Sequence, residues 1–305
     1  MQSPLATVGN VNVDLILGPL SPWPVPGSEV LCPDSDLRVG GAAGNVALTW
    51  RAWNLPFQCA SSTGDDHFGD WLRAGFGSTA DHWSRTSGST TISVGVTHPD
   101  AERTFLTTVG HLPEFSWSDV ERQLDWDALR GGTIILCGSF LTERLSADYG
   151  RLFDRAAQEQ IAIALDTGWP IHGWNEETRA RALHWVARSQ IVLLNEIEAT
   201  SLTATETPEA ALESLARHQP KSGISVVKLG PKGAIARQHA KTIRAIAPQV
   251  AVKDTIGAGD VFNAAFIASL SQCTPLAQAL DHAVATASLA VSTNPRCYIH
   301  QEVSV

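Results

Sequence analysis

Residues 254–260 read Asp254-Thr255-Ile256-Gly257-Ala258-Gly259-Asp260, and an apolar stretch from Val261 to Leu270 follows. The two glycines let the backbone turn tightly and bring its N–H groups close to a ligand. The stretch behind them predicts a helix over Ala258–Ser271, whose positive dipole end adds to the pull on an anion. Asp260 falls in the first turn of that helix. A carboxylate beside a bound anion is a poor ligand for it, but a good base for a hydroxyl that attacks it. An ordinary turn with Asp260 capping a helix has the same spacing, so spacing alone leaves both readings open.

Outward from this turn, short β-rich apolar runs alternate with amphipathic stretches, the pattern of a mostly parallel sheet flanked by helices. The class is α/β. Strands are expected at Ala6–Val8, Gln58–Ser61, Ile134–Cys137, Ile161–Leu165, Ile191–Leu194 and Ile224–Lys228. Helices are expected at Ala42–Trp53, Ala147–Gln160 and Glu176–Ala187, and again at Ala258–Ser271 and Leu276–Ser292, the last two Ala-rich and packed deep against the sheet. Two pieces break the alternation. One is Ser28–Val39; the other is the pair Thr91–Thr97 and Thr104–Val109 around the turn His98-Pro99-Asp100-Ala101, which reads as a hairpin. Together, residues of about 10–39 and 90–110 form a β-flap lid on a single domain spanning residues 1–305, with no linker or internal repeat.

Composition narrows the function. The chain has 305 residues, 44% of them hydrophobic and 17% charged, and a formal charge of -9 from 22 Lys+Arg against 31 Asp+Glu. That balance offers no basic surface for nucleic acid or anionic lipid, so no nucleic-acid or membrane partner is expected. The first residues lack the layout of a secretory signal, and no run approaches a spanning helix, so a cytoplasmic location is expected. The cysteines are scattered, with no C-x-x-C pair, and read as reduced core thiols. No G-x-x-x-x-G-K-[ST] occurs and no G-x-G-x-x-G follows the first strand, which disfavours a Walker-type ATPase and a Rossmann dehydrogenase.

The segment Asp254–Asp260 resembles the D-T-x-G-A-G-D signature of the ribokinase-like (PfkB) carbohydrate kinase family. Four further stretches resemble motifs of that family in its order: Gly9-Asn10-Val11-Asn12-Val13-Asp14, Gly40-Gly41-Ala42-Ala43-Gly44-Asn45, Asn195-Glu196-Ile197-Glu198 and Lys228-Leu229-Gly230-Pro231-Lys232-Gly233. The resemblance implies a ribokinase-like three-layer sandwich and an ATP-dependent kinase acting on a small-molecule sugar. It makes Asp260 the catalytic base and Gly257, Ala258 and Gly259 the anion hole. Asn12, Asp14, Gly40, Gly41 and Asn45 fall to the acceptor, where the Asp14 carboxylate, expected with Asn12 at the end of the first apolar strand, suits charge-assisted bonds to sugar hydroxyls. Gly257, Thr255, Lys228, Gly230 and Gly233 fall to the nucleotide. Asn195 and Glu198 fall to magnesium (Mg²⁺), held through water as suits an ion that dehydrates reluctantly. Read without the family, Asn195 and Glu198 are spaced as a helix capping box, and Lys228–Gly233 reads as a hairpin turn.

Departures from the family pattern bear on the substrate. The Lys of the di-glycine motif in ribokinases is replaced by Ala42, which argues against ribose itself. Glu102-Arg103-Thr104-Phe105 resembles a stretch of the family's flap, from which Arg103 reaches an acidic or phosphorylated substrate or else stands as a surface charge. A nucleoside or other small-alcohol kinase, and a catalytically silent sugar-binding regulator, are the alternatives. Retention of Asp260, Asn195 and Glu198 together speaks against the silent one. Family members often bind a monovalent cation beside the Asp of the D-T pair; here the late turn runs Asn294-Pro295-Arg296-Cys297, and Arg296 opposes a cation there, so potassium activation is expected to be weak or absent. The Thr91–Thr97 strand offers a face for a homodimer through the flap.

Overall fold

Apolar side chains alternate onto both faces of the central strands, so each face needs a cover of helices. The computed structural model describes residues 2–99, 103–294 and 296–298. The strands in chain order are β1 (Leu5–Gly9), β2 (Asn12–Gly18), β3 (Asp34–Gly40), β4 (Gln58–Ala60), β5 (Ser62–Gly64), β6 (Ser84–Thr86), β7 (Ile92–Thr97), β8 (Arg103–Thr107), β9 (Thr133–Cys137), β10 (Ala162–Asp166), β11 (Ile191–Asn195), β12 (Ile224–Lys228), β13 (Ala234–Gln238) and β14 (Lys241–Ala245). The helices are α1 (Ala42–Ala52), α2 (His67–Phe76), α3 (Trp117–Gln123), α4 (Glu143–Ala147), α5 (Tyr149–Gln158), α6 (Glu176–Val186), α7 (Glu196–Thr203), α8 (Pro208–His218), α9 (Ala258–Ser271) and α10 (Leu276–Ser292).

The central sheet runs β14-β13-β12-β11-β10-β9-β1-β4, parallel from β12 to β4 with β13 and β14 antiparallel at one edge. Alternation along one strand feeds two cores. Ile134 and Leu136 of β9 join α3, α5, α6 and α8 through Trp117, Phe153, Trp185 and Leu212. Ile135 and Cys137 of the same strand join α1, α2, α9 and α10 through Trp50, Leu72, Phe266 and Leu280. Among the described residues no helix is long and apolar enough to cross a membrane.

A second sheet, β3-β2-β7-β8, forms the flap. Its register puts Arg38, Asp14, Ser93 and Thr107 in one row, and Leu37, Leu15, Val94 and Leu106 in the next. Asp14 and Ser93 are buried while Leu37 and Leu106 are exposed, so the polar row faces the core and the apolar row faces outward. β7 lies inside this sheet, between β2 and β8, so the free edges belong to β3 and β8.

Three expectations change. Ala147–Gln160 was expected as one helix, but Asp148 interrupts it, standing between α4 and α5 with φ -96° and ψ 10° and no side-chain cap hydrogen bond; aspartate is a poor helix former, so a break there costs little. Asn12 and Asp14 do not end the first strand. The chain leaves the central sheet at Gly9, and Asn12 opens the flap strand β2. Strand structure in the Ser28–Val39 piece starts only at Asp34, because Pro19, Pro22, Pro24, Pro26 and Pro33 remove ladder donors from the chain before it. Of the turn expected at His98–Ala101, Asp100 and Ala101 lie outside the described residues, as do Glu102 and Pro295.

Candidate active site

Three parallel strands and the Gly-rich turn bring predicted residues and Asp166 to one end of the sheet. Asp166, Asn195 and Lys228 are the last residues of β10, β11 and β12, at the carboxyl edge where open α/β sheets bind ligands. α9 starts above them. Its N-cap Gly257 is left-handed, with φ 76°, and a Cβ there would stand 2.8 Å from both Asn45 Nδ2 and Arg296 Nη1. Glycine is therefore required twice over, by conformation and by space. Ala258 N–H donates to Thr255 O at 3.2 Å, closing the turn, whereas the N–H groups of Gly257 and Gly259 have no partner among the described residues. The expected anion hole thus offers two free donors, with the Ala258 N–H committed to the turn.

Asp260 lies in the first turn of α9, and its Oδ2 accepts from Asn45 Nδ2 at 2.8 Å. Burial raises its carboxyl to about 6, and the charge of Asp166 adds to the rise. A base poised there is ionised at neutral pH and still willing to take a proton. Behind it, Lys228 Nζ donates to Asp166 Oδ2 at 2.8 Å and to Asn263 Oδ1 at 3.1 Å, and Asn263 Nδ2 reaches Asp166 Oδ2 at 2.5 Å. Burial works against the Lys228 ammonium, but the carboxylates of Asp166 and Glu198 outweigh it and hold the proton on. A Cβ on Gly259 would meet Lys228 Nζ at 3.4 Å, which sets this ammonium just under the anion turn.

Asn195 and Glu198 form the capping box of α7: Glu198 N–H donates to Asn195 Oδ1 at 2.8 Å, and Asn195 N–H to Glu198 Oε2 at 2.9 Å. Burial, with Asp166 nearby, raises the Glu198 carboxyl. Among the described residues no group of three or more His, Cys, Asp and Glu side chains could ligate a metal directly. Oxygen donors already engaged with backbone fit Mg²⁺ through water and phosphate rather than by direct ligation. Gly230 and Gly233 lie in the tight connection of the antiparallel β12–β13 pair, as the hairpin reading expects.

The residues expected at the acceptor gather on the flap strands β2 and β3 and at the start of α1. Asn12 Nδ2 donates to Asp14 Oδ1 at 2.8 Å, and Asn10 Nδ2 to Asn12 Oδ1 at 3.2 Å. Burial raises the Asp14 carboxyl to about 6, with Arg38 beside it pulling the other way. Gly40 is held to glycine because a Cβ would fall 2.1 Å from the Asp14 carboxyl, and Gly41 is the N-cap of α1, which carries Asn45. Arg103 donates to the Thr255 hydroxyl, so the flap touches the signature turn.

Sequence reading passed over Arg38, Asp166 and Asn263. Asp166 carried a usable signal, a lone carboxylate directly after an apolar strand. Asn263 carried another, a polar residue one turn beyond Asp260 in an otherwise apolar helix. Trp174, flanking the loop after β10, packs edge-on against Phe140.

Comparison with known proteins adds an independent line. A family model for pfkB family carbohydrate kinases matches residues 2–296. A ribokinase from Arabidopsis thaliana is 25% identical over 299 residues, covering 94% of this chain and 76% of the relative. The solved structure of Arabidopsis thaliana ribokinase complexed with ribose and ATP aligns with a TM-score of 0.77 at 24% identity, over 96% of this chain and 94% of that one, and carries the likeness of fold. A 1-phosphofructokinase from Rhodobacter capsulatus is 31% identical over 147 residues, which is 47% of this chain and 42% of that protein.

Proposed function

The chain belongs to the pfkB family of carbohydrate kinases, and from that premise we propose that it transfers the γ-phosphoryl group of ATP to a hydroxyl of a monosaccharide or sugar-like acceptor, with Asp260 as general base. It is a carbohydrate kinase with a ribokinase-like α/β fold. The observation that carries the assignment of the base is the Asp260 carboxylate, raised to about 6 and standing beside two unpartnered backbone N–H groups at the start of α9.

The acceptor hydroxyl gives its proton to Asp260 as its oxygen forms a bond to the γ-phosphorus. The bond from that phosphorus to the bridging oxygen breaks, and ADP leaves with the electron pair. Gly257 and Gly259 N–H groups stabilise the charge on the transferring group, and Lys228 below the turn adds to the positive field. Asn195 and Glu198 would hold Mg²⁺ through water, and that ion, when bound, neutralises phosphate charge. Asn12, Asp14 and Asn45 orient the acceptor. Asn45 also holds the Asp260 carboxylate toward it.

Two substitutions separate base from anchor. Asp260→Asn keeps the shape and should lower kcat by roughly 10²–10⁴, leaving acceptor and ATP affinity nearly intact. Asp14→Ala should chiefly weaken acceptor binding, by about 1.5–3 kcal/mol. Near-wild-type kcat in Asp260→Asn would remove Asp260 as the base, whereas sugar binding without any transfer by the wild type would favour a sugar-binding scaffold instead. The outward row Leu37, Leu15, Val94 and Leu106 supports a homodimer through the flap, and a monomer by light scattering at micromolar concentration would remove that.

A further inference from the structure

A cavity of about 680 Å³ opens between the flap, the signature turn and Thr293, Asn294, Arg296 and Tyr298, lined among others by Arg38, Arg103, Lys253 and Asp254. Asn45 also lines it, and Asn45 Nδ2 is the group that holds Asp260, so this space adjoins the transfer site. Arg296 Nη1 would stand 2.8 Å from a Cβ on Gly257, the same distance as Asn45 Nδ2, which fixes how near the guanidinium comes.

Asp34 and Asp36 also line the cavity and the Asp14 carboxylate lies beside Arg38, so what is unmatched here is hydrogen bonding rather than charge. Arg38 Nη1 and Arg296 Nη2 both donate to Asp254 Oδ2, at 2.5 and 2.9 Å, so a single carboxylate serves two guanidinium groups. Asp36 stands 3.4 Å from Arg38, but its side chain is 58% exposed and worth little as a counter-ion. Arg103 donates to a neutral hydroxyl, and neither it nor Lys253 has a carboxylate partner among the described residues. Two buried guanidinium nitrogens, Nη2 of Arg38 and Nε of Arg296, have no hydrogen-bond partner at all among the described residues. Buried polar groups are hydrogen-bonded as a rule, and an arginine fork matches the paired oxygens of a carboxylate or phosphate. A tether between flap and core alone would need one arginine on Asp254, and it would leave no N–H groups without acceptors.

We propose that the acceptor is an anionic sugar, carrying a carboxylate or a phosphate that Arg38, Arg103 and Arg296 receive while a hydroxyl of the same molecule lies at Asp260. This rests on the kinase reading of the site and adds the class of its substrate. A neutral monosaccharide would offer those unpartnered guanidinium N–H groups no charged acceptor in a partly desolvated space.

The test uses matched trios, each a monosaccharide, its sugar acid and its phosphate ester, assayed for ATP- and Mg²⁺-dependent transfer. The anionic member should exceed its neutral parent in kcat/KM by about 10- to 100-fold, the scale of one or two charge-assisted hydrogen bonds. Whether acid or ester leads tells which anion the arginines receive. Arg103→Gln, at an exposed position where folding is not at stake, and Arg296→Gln should each shrink that ratio by about tenfold, mainly through KM. Neutral parents turned over as well as their anions, or a ratio untouched by both substitutions, would overturn the inference while leaving the transfer reaction standing. If no trio member receives phosphoryl, the proposed reaction falls instead. Calorimetric binding of the same compounds to the nucleotide-free protein would then still decide the anion preference.

Discussion

Two ionic clusters flank the Gly-rich turn, and they are built on opposite terms. On the core side, Asp166, Lys228, Asn263 and Glu198 sit at strand ends and on helix faces of one rigid sheet; the Lys228 and Asp166 side chains are only 12% and 10% exposed. Every donor of that set finds an acceptor within the set or on backbone. On the flap side, Arg38 and Arg103 come from the two edge strands of the flap sheet and Asp254 and Arg296 from segments outside any sheet, and two of their buried nitrogens lack partners. A cluster whose bonds are complete holds shape; one with bonds outstanding is prepared for something that arrives. Buried charge is tolerated in the first because Lys228 pairs with Asp166 and Glu198 accepts the Asn195 N–H, and in the second only because part of it stays near solvent.

The widest gap between the clusters should appear on removing one charge from each. Lys228→Met strands Asp166 and Glu198 as buried carboxylates, and denaturant unfolding should show a loss of about 3–5 kcal/mol. Arg103→Gln should stay within about 0.5 kcal/mol of wild type in the same measurement. Equal losses would break the contrast.

A second, smaller effect sharpens it through pH. Asp260 and Asp14 are both raised by burial to about 6 from an ordinary 3.8. Asp260 must be unprotonated to act, so kcat/KM for the acceptor should fall as pH drops through about 6, more steeply than one proton allows if Asp14 titrates with it. The stability contribution runs the other way. Because the folded carboxyls hold protons that the unfolded chain has already released, their contribution is present at low pH and declines as pH rises from about 4 to about 6. Asp260→Asn should therefore raise Tm relative to wild type above pH 6, and the advantage should vanish near pH 4; an advantage independent of pH would contradict the cause given for the shift.

The smallest effect expected is none. With Arg296 and Arg38 on Asp254, replacing potassium by a large organic cation at equal ionic strength should leave turnover unchanged, and several-fold stimulation by potassium would show the arginines are not sufficient there.

What could be read beforehand follows the range of the interactions. The limits of β12, α9 and α10 were legible to the residue, since each is set by apolar period and local breakers. So was the tight turn at Gly257 that opens α9, whose geometry lies within one short stretch. Asp148 was missed as a break because a single aspartate in a periodic run is a weak local signal. The pairing of Arg38 with Asp254, across 216 positions, leaves no trace in either neighbourhood. Nor does the sharing of that carboxylate with Arg296. Asp14 looked like a strand end because the run Gly9–Asp14 continues the apolar character of β1; only the departure of the chain at Gly9 shows it to be flap.

The position of β1 also governs how fast the molecule can form. β1 pairs in parallel with β9, Leu5 against Thr133, and with β4 on its other side. Joining residues so distant means closing long loops before the contacts that reward closure exist, which places this chain among slow folders with a high mean sequence separation of contacts. Until β9 arrives, β1 and β4 form a two-stranded parallel edge of apolar residues, exposed to strands of other molecules. Refolding yield should accordingly fall as protein concentration rises, even under conditions in which the finished enzyme is stable.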